Sequence, residues 1–318
     1  MGSVGIVLGI AVAVLWGSAD TVATVAARRL GTFTTTLVSF IVSASVLVLF
    51  GVVSGFGGLA FVQISLAPQE LLFSASIGLL SGLLAAVGYF SLYRGLELGP
   101  LAIVSPIVAA DGAVAAVLAI LLLHEGVSVW QASLLCCIFC GIFFASTNLA
   151  ELRRLLVTSG SVLVVKGGVP WGLLAMLAFG LMLFTLGAAA QVWGWFLPIF
   201  WTRFFAMLAM LGLALWRHFR ARRSPGAPTT QGRRGFVVFG SSAGLAAVVG
   251  LLETVGLLVY SIDTQIAATD IAAAISSCFG LIPLVIGLTV FGERPTGNQV
   301  GGVLLVITAL LLLAIKPA

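Results

Sequence analysis

Long apolar runs with almost no charge constrain this chain more than any other feature. Hydrophobic residues make up 61% of its 318 residues and charged residues only 8%, whereas soluble domains carry about 25% charged residues. So few charges cannot cover a water-exposed surface, and lipid must therefore be the main solvent of the folded chain. Because backbone groups in lipid need partners within their own segment, the runs predict α-helices.

Ten apolar runs are long enough to cross a bilayer, which takes about 20 residues per helix. The runs are 4–26, 33–54, 71–92, 101–123, 130–148, 169–190, 197–217, 236–260, 269–291 and 298–316. They predict an all-α polytopic membrane protein of ten transmembrane helices. No basic residue precedes the first run and Arg28 and Arg29 follow it, so we expect this run to be retained rather than removed as a signal peptide.

The stretch Leu101–Gln131 has a counterpart in Thr269–Gln299, 168 residues later. Each consists of an apolar run, a short loop that contains a glutamate, and the start of another apolar run. Similarity at a fixed offset indicates an internal duplication. Each half has five runs, an odd number, so the second half enters the membrane in the opposite sense. This predicts two inverted five-helix repeats.

The predicted repeats span 4–148 and 169–316, and the segment 149–168 links them. Basic residues occupy the loops that follow the odd-numbered runs, whereas the loops after the even-numbered runs carry none. Because basic residues resist transfer across a bilayer, the odd loops are expected in the cytoplasm, with both chain termini outside.

Away from the span edges, four charged side chains fall inside predicted spans, namely Asp20, Asp111, Arg203 and Glu253. A charge at the bilayer centre costs about 2.5–3.5 kcal/mol on insertion scales. Such residues are therefore candidates for a substrate or proton site. The question for each is whether it serves function or only holds helices together.

Asp111 lies between Ala110 and Gly112, and small neighbours leave room for a solute or another helix. Its carboxyl group suits proton coupling or substrate contact, or alternatively a structural hydrogen bond to a neighbouring helix. Asp20 follows Trp16 by one helical turn, and the two could line a wet cavity. Alternatively, Asp20 reaches the headgroups or pairs with Arg28.

Arg203 and Glu253 are expected to form an ion pair that lets both be buried. The alternative is that Arg203 binds a substrate carboxylate through its two-pronged guanidinium group. Tyr260 shares a helical face with Glu253, two turns away, and is a candidate hydrogen-bond donor in the cavity. Ser277 either contributes to the same site or bonds across helices for stability.

Other functional classes find little support in the sequence. Cys136 and Cys140 share a helical face, but small apolar packing residues are the simpler interpretation. Neither histidine has metal-ligand neighbours, and no Gly-rich phosphate loop occurs. No basic patch is interleaved with aromatic residues. We therefore expect no metal, no cofactor and no nucleic-acid partner.

Several motifs resemble the EamA family of the drug/metabolite transporter superfamily. They are Trp16-Gly17, Trp171-Gly172, Pro198 with Arg203, Leu122-Leu123-His124-Glu125, and Pro283 followed by Phe291-Gly292-Glu293-Arg294. The resemblance implies a ten-helix exporter or exchanger of small organic solutes with a central cavity between two repeats. It also implies a bacterial inner membrane as the location, membrane lipids as neighbours, and a monomer or homodimer.

Two other functions compete with this expectation. A flippase for a lipid or lipid-linked sugar would use a related cycle, with a groove open sideways to the bilayer. An intramembrane enzyme is the remote alternative, because paired aspartates can share a proton in proteolysis. However, Asp111 follows Ala-Ala, not the Gly-x-Gly of known intramembrane aspartyl proteases. The chain is therefore not expected to be an enzyme.

Overall fold

The computed structural model describes residues 2–56, 68–122, 128–146, 167–223, 239–266 and 277–314. Within these ranges every regular element is helical, which confirms the predicted all-α class. The helices are α1 (Gly2–Leu30), α2 (Thr32–Phe56), α3 (Pro68–Leu98), α4 (Leu101–Val108), α5 (Asp111–Leu122), α6 (Val129–Ser146), α7 (Val169–Trp193), α8 (Phe196–Arg223), α9 (Phe239–Ile266), the 3₁₀ turn Ser277–Gly280, α10 (Leu281–Thr289) and α11 (Gly297–Ala314).

Seven stretches of these helices are long and apolar enough to cross a membrane, with α4 and α5 together forming one of them. Two shorter apolar helices, α6 and α11, match the fifth and tenth predicted runs. The ninth run is described only from Ser277 onward. Apolar side chains such as Leu72, 74% exposed, cover the outer surface, as expected for helices that face lipid rather than water.

The fourth predicted span is not one continuous helix, contrary to the sequence-based expectation. It is interrupted at Ala109–Ala110, between α4 and α5. The Ala110 N–H donates to Ile107 O at 3.2 Å, and the Ala113 N–H to Ala110 O at 3.0 Å. These bonds reach back three residues instead of four. Pro106 lies inside α4, three residues before the interruption, and has no N–H to donate to the preceding turn.

A second irregular segment lies in the ninth span, where the turn Ser277–Gly280 precedes α10. Pro283 then falls in the first turn of α10, where its missing N–H needs no helical partner. The two irregular segments touch, because a Cβ atom built on Gly280 would lie 3.7 Å from the Cβ of Ala109. At the 168-residue offset Gly280 corresponds to Gly112, so the interruptions occur at matching places in the two halves.

Helices of the first half pack mainly against helices of the second. The helix α1 contacts α9, α3 contacts α7, α2 contacts α8, α4 contacts α10, and α6 contacts α11. Glycines allow two of the closest crossings. A Cβ on Gly17 would lie 2.7 Å from Ile282 Cβ, and one on Gly172 would lie 3.4 Å from Val104 Cγ1. Each Trp-Gly glycine therefore faces the interrupted span of the opposite half.

Arginine side chains tie several helix ends together at one face of the bundle. Arg28, at the end of α1, donates to Leu96 O at 3.2 Å and to Gly99 O at 2.9 Å, both near the end of α3. Arg217, near the end of α8, lies 4.5 Å from the centre of the Phe33 ring at the start of α2. The ends of the first, third and seventh spans therefore lie at this face.

Glu293 joins the same face from the loop before α11. Its carboxylate accepts the backbone N–H groups of Leu101 and Ala102, both at 2.8 Å, and so caps the start of α4. Arg28 Nη2 is 3.6 Å from Glu293 Oε1. Glu293 of the Gly-Glu-Arg segment thus caps a helix of the first half. His124 and Glu125, in the corresponding loop of the first half, lie outside the described residues.

The contact between α6 and α11 offers a direct test of the packing. A Cβ on Gly302 would lie 2.6 Å from Gly141 O, whereas one on its neighbour Gly301 would meet nothing within 4 Å. We expect Gly302→Ala to lower the unfolding free energy by about 1–3 kcal/mol through overpacking. Gly301→Ala should be neutral or slightly stabilising, because alanine favours a helix. Apparent melting temperatures in detergent measure both, and equal values for the two variants would contradict this packing.

Candidate functional site

A cavity of about 250 Å³ opens between the two halves, and mostly apolar side chains line it. Six of the seven residues that the sequence nominates are on its wall: Asp111, Asp20, Trp16, Arg203, Glu253 and Tyr260. The side chain of the seventh, Ser277, is outside the described part of the structure. The fold thus brings together residues that are up to 244 positions apart in the chain. Their role in transport stays a prediction.

Tyr89 bridges the buried pair Arg203 and Glu253. Arg203 Nη2 donates to the Tyr89 hydroxyl at 2.6 Å, and that hydroxyl donates to Glu253 Oε2 at 2.7 Å. The direct distance between Arg203 Nη2 and Glu253 Oε2 is 4.0 Å. The expected ion pair is therefore present, but mainly through an intermediate hydroxyl. The guanidinium, hydroxyl and carboxylate groups thus serve as hydrogen-bond partners for one another where water is scarce.

Aromatic packing holds Tyr89 in this position. Its ring lies edge-on to Phe179, with centroids 4.7 Å apart, and edge-on to Phe40 at 5.4 Å. The guanidinium carbon of Arg203 lies 4.5 Å from the Tyr89 ring centre, a cation–π distance. The sequence analysis started from charged residues in spans and the helical neighbours of those residues, and so missed Tyr89. The signal available was a tyrosine beside Gly88 in an apolar run.

Asp20 is buried and accepts a hydrogen bond from the Ser105 hydroxyl on α4. It does not pair with Arg28, whose guanidinium group instead contacts Glu293 and the end of α3. The headgroup and Arg28 alternatives for Asp20 are therefore not what the structure shows. The side chain of Asp20 reaches the cavity from α1 and joins that helix to the interrupted fourth span.

Asp111 is the first residue of α5, directly after the interruption. Its Oδ1 accepts the backbone N–H of Gly112 at 2.7 Å. A carboxylate at a helix N-terminus is favoured by the unpaired amide groups and the helix dipole. The helix end therefore helps to hold Asp111 on the cavity wall. Among the described contacts, no second helix is bonded to its carboxyl group.

Three aromatic rings form one side of the cavity. The Trp16 ring centre is 5.6 Å from that of Tyr260 and 5.8 Å from that of Phe279, the latter edge-on. Trp16 rests against Gly256 of α9, where a Cβ would lie 2.6 Å from Trp16 Nε1. Any larger residue at 256 would therefore displace the indole. Trp171, the matching tryptophan of the second half, lies near Phe90 instead and is not part of this wall.

The wall combines apolar surface, aromatic faces, carboxyl groups and a guanidinium group, which suits an amphipathic organic solute. No three His, Cys, Asp or Glu side chains come together as metal ligands in the described ranges. Cys136 and Cys140 are exposed on the outer surface of α6.

Comparisons with known proteins agree with this architecture. Residues 3–147 match the model of the EamA-like transporter family, which lies within the drug/metabolite transporter superfamily. This part of the chain is thus similar to that family, and the resemblance drawn from its motifs is confirmed there. With its apolar helices, the match identifies an integral membrane protein of transporter type.

A solved structure, titled "Crystal structure of protein", has a similar fold with a TM-score of 0.55. The sequence identity is 14%, and the alignment covers 98% of this chain and 96% of that chain. At this identity the likeness concerns the fold alone. No curated protein matches the sequence.

The bridging role of Tyr89 can be tested by removing only its hydroxyl. Tyr89→Phe leaves Arg203 and Glu253 buried with one fewer partner each, and bonds to charged groups contribute about 1.5–3 kcal/mol. Tyr93→Phe is the matched control, because the Tyr93 hydroxyl makes only a 3.3 Å contact with the Ser39 hydroxyl. We expect Tyr89→Phe to lower the apparent melting temperature clearly more than Tyr93→Phe. A larger loss in the control would show that the bridge is not important for stability.

Proposed function

We propose that the protein is a secondary transporter that exports or exchanges small organic metabolites by alternating access, with proton coupling. The observation that carries this proposal is the cavity between the halves, because Asp111 follows the interruption in the fourth span and the buried Asp20 accepts a bond from Ser105 of that span. Interrupted helices near the bilayer midplane are a common way to build substrate and ion sites in transporters.

The proposal includes two inverted repeats, 4–148 and 169–316, joined by 149–168. The helix contacts support it, because exchanging the halves converts the α1–α9 contact into the α3–α7 contact. The same exchange leaves the α6–α11 and α2–α8 contacts in place. Such a pattern is expected when two similar folds are related by a two-fold axis.

Turn geometry supports the same relation. In each half a glycine with positive φ joins the first two helices, Gly31 at 81° and Gly194 at 73°. The first span of one half and the second span of the other end at the same face, where Arg28 and Arg217 lie. The first span therefore runs toward this face in the first half and away from it in the second half.

Glu293 supports alternation between two states. Its cap on α4 and its contact with Arg28 join the two halves at one face of the bundle. Glu125 is the residue that corresponds to it in the sequence of the first half. Two packings of similar energy are what an alternating cycle requires.

The inverted orientation predicts opposite accessibility for the two glycine turns. In a chain whose four native cysteines are replaced by serine, Gly31→Cys should react with a membrane-impermeant maleimide only from the cytoplasmic side. Gly194→Cys should react only from the outside, because odd loops carry the basic residues. Labelling of intact cells against inverted vesicles measures this. Labelling of both positions from the same side would exclude inverted repeats.

If Asp111 carries the coupled proton, replacing it with a residue that does not titrate should impair transport driven by a pH gradient. Proteoliposomes that contain the purified protein should accumulate substrate when a pH gradient is imposed, and Asp111→Asn should reduce the gradient-driven rate at least tenfold. Glu70→Gln is the control, because Glu70 is exposed at the start of α3.

Exchange of labelled for unlabelled substrate without a gradient separates binding from coupling. Asp111→Asn should retain exchange if the residue carries only the proton, and should lose it if the residue also binds substrate. Gradient-driven flux that is unaffected by both Asp111→Asn and Asp111→Ala would remove Asp111 from the mechanism.

A further inference from the structure

The charges on the cavity wall do not cancel. Three carboxyl groups, Asp20, Asp111 and Glu253, face one guanidinium group, Arg203. Arg203 is already engaged with Glu253 at 4.0 Å and with the Tyr89 hydroxyl at 2.6 Å. Arg203 is therefore paired with Glu253, and the carboxyl groups of Asp20 and Asp111 remain.

Asp20 and Asp111 have polar partners but no cationic one in the described structure. The ion pairs found there join Arg28 with Glu293, Arg94 with Glu97, and Arg203 with Glu253. A hydroxyl contacts Asp20 and a backbone N–H contacts Asp111. An ionised carboxylate in so apolar a place needs a positive charge nearby or must take up a proton. The cavity therefore has room for positive charge from outside the chain.

The aromatic wall is an independent feature that favours the same kind of ligand. The ring centres of Tyr260 and Phe279 lie 5.6 and 5.8 Å from that of Trp16. Aromatic rings attract ammonium and guanidinium groups, with tryptophan the strongest, and the attraction grows when water is excluded. Asp20 and Trp16 are one turn apart on α1, and both line the cavity.

Apolar side chains complete the wall and define the rest of the ligand. Leu183, Leu186 and Leu257 line the cavity, and its surface is largely apolar. A ligand without an apolar part would leave these side chains without favourable contacts, whereas an apolar or aromatic group would pack against them. The matching solute therefore has one cationic group and one apolar part.

We propose that the substrate class is small organic cations, such as amines or quaternary ammonium compounds with an apolar group, bound through Trp16, Asp20 and Asp111. This inference rests on the proposed transport function and specifies its ligand. It differs from the alternative in which Arg203 binds a substrate carboxylate, because Arg203 already has its own partners. Protons that leave the aspartates would make room for the cation, and their return would release it.

A set of probes that share one ring but differ in charge tests the substrate class. Tyramine is the cation, tyrosine the zwitterion and 4-hydroxyphenylacetate the anion, and benzyltrimethylammonium is a second cation without an N–H donor. The purified full-length protein in detergent is titrated with each. A ligand that binds the folded state raises the apparent melting temperature. We expect both cations to raise it, the zwitterion to raise it less, and the anion to leave it unchanged.

Variants locate the binding. Asp20→Asn and Asp111→Asn should each weaken cation affinity at least tenfold, and Trp16→Leu should weaken it more than Trp16→Phe. Glu70→Gln should bind as the unaltered protein does. A preference for the anion, no response to either cation, or equal affinity in both aspartate variants and the control would overturn the proposal.

Measurements of probe flux distinguish this inference about substrate class from the proposed transport function on which it rests. The same probes, in labelled form, are followed in proteoliposomes. Flux of the anion or zwitterion without flux of the cations would overturn the substrate class and leave the transporter standing. Cation binding that depends on Asp20 and Asp111, without flux of any probe, would support the binding site and contradict transport.

Discussion

The rest of this structure depends on one constraint: a backbone N–H or C=O group in hydrocarbon must have a hydrogen-bonding partner. The chain meets it with helices almost everywhere and departs from them where it lines the cavity. At the interruption before α5, tight backbone bonds and the Asp111 carboxylate engage groups that a continuous helix would engage itself. Irregular backbone is tolerable at this depth because protein and cavity, rather than lipid, surround it. The site and the interruption therefore belong together.

The same need for hydrogen-bonding partners applies to the buried charged side chains. Arg203 and Glu253 remain deep in the bundle because the Tyr89 hydroxyl serves both, as acceptor and as donor. A single hydroxyl with both capacities suits a position between a cation and an anion. Asp20 and Asp111, by contrast, have only neutral partners among the described residues. The described part of the bundle thus contains a balanced charge cluster, which joins helices, beside two carboxyl groups without a cationic partner.

Composition and spacing predicted the all-α membrane fold, the family and the residues that meet in the cavity, because a charge in a span is costly and so stands out in a sequence. Two features were missed. Tyr89 carries no charge, and its importance appears only when Arg203 and Glu253 are placed on either side of it. The interruption of the fourth span was hidden because Ala109 and Ala110 are good helix residues. Gly280 of the other half lies against this segment, and that contact cannot be read from the sequence.

The two halves differ in chemistry at the point where their backbones correspond most closely. Gly112 and Gly280 align at the interruptions, yet the residue before each is Asp111 in one half and Phe279 in the other. Under the proposed cycle, a shared backbone plan would give the bundle two packings of similar energy. An acid in one half and a ring at the matching position of the other would then give the cavity a charged side and an aromatic side, which suits a solute with two different ends.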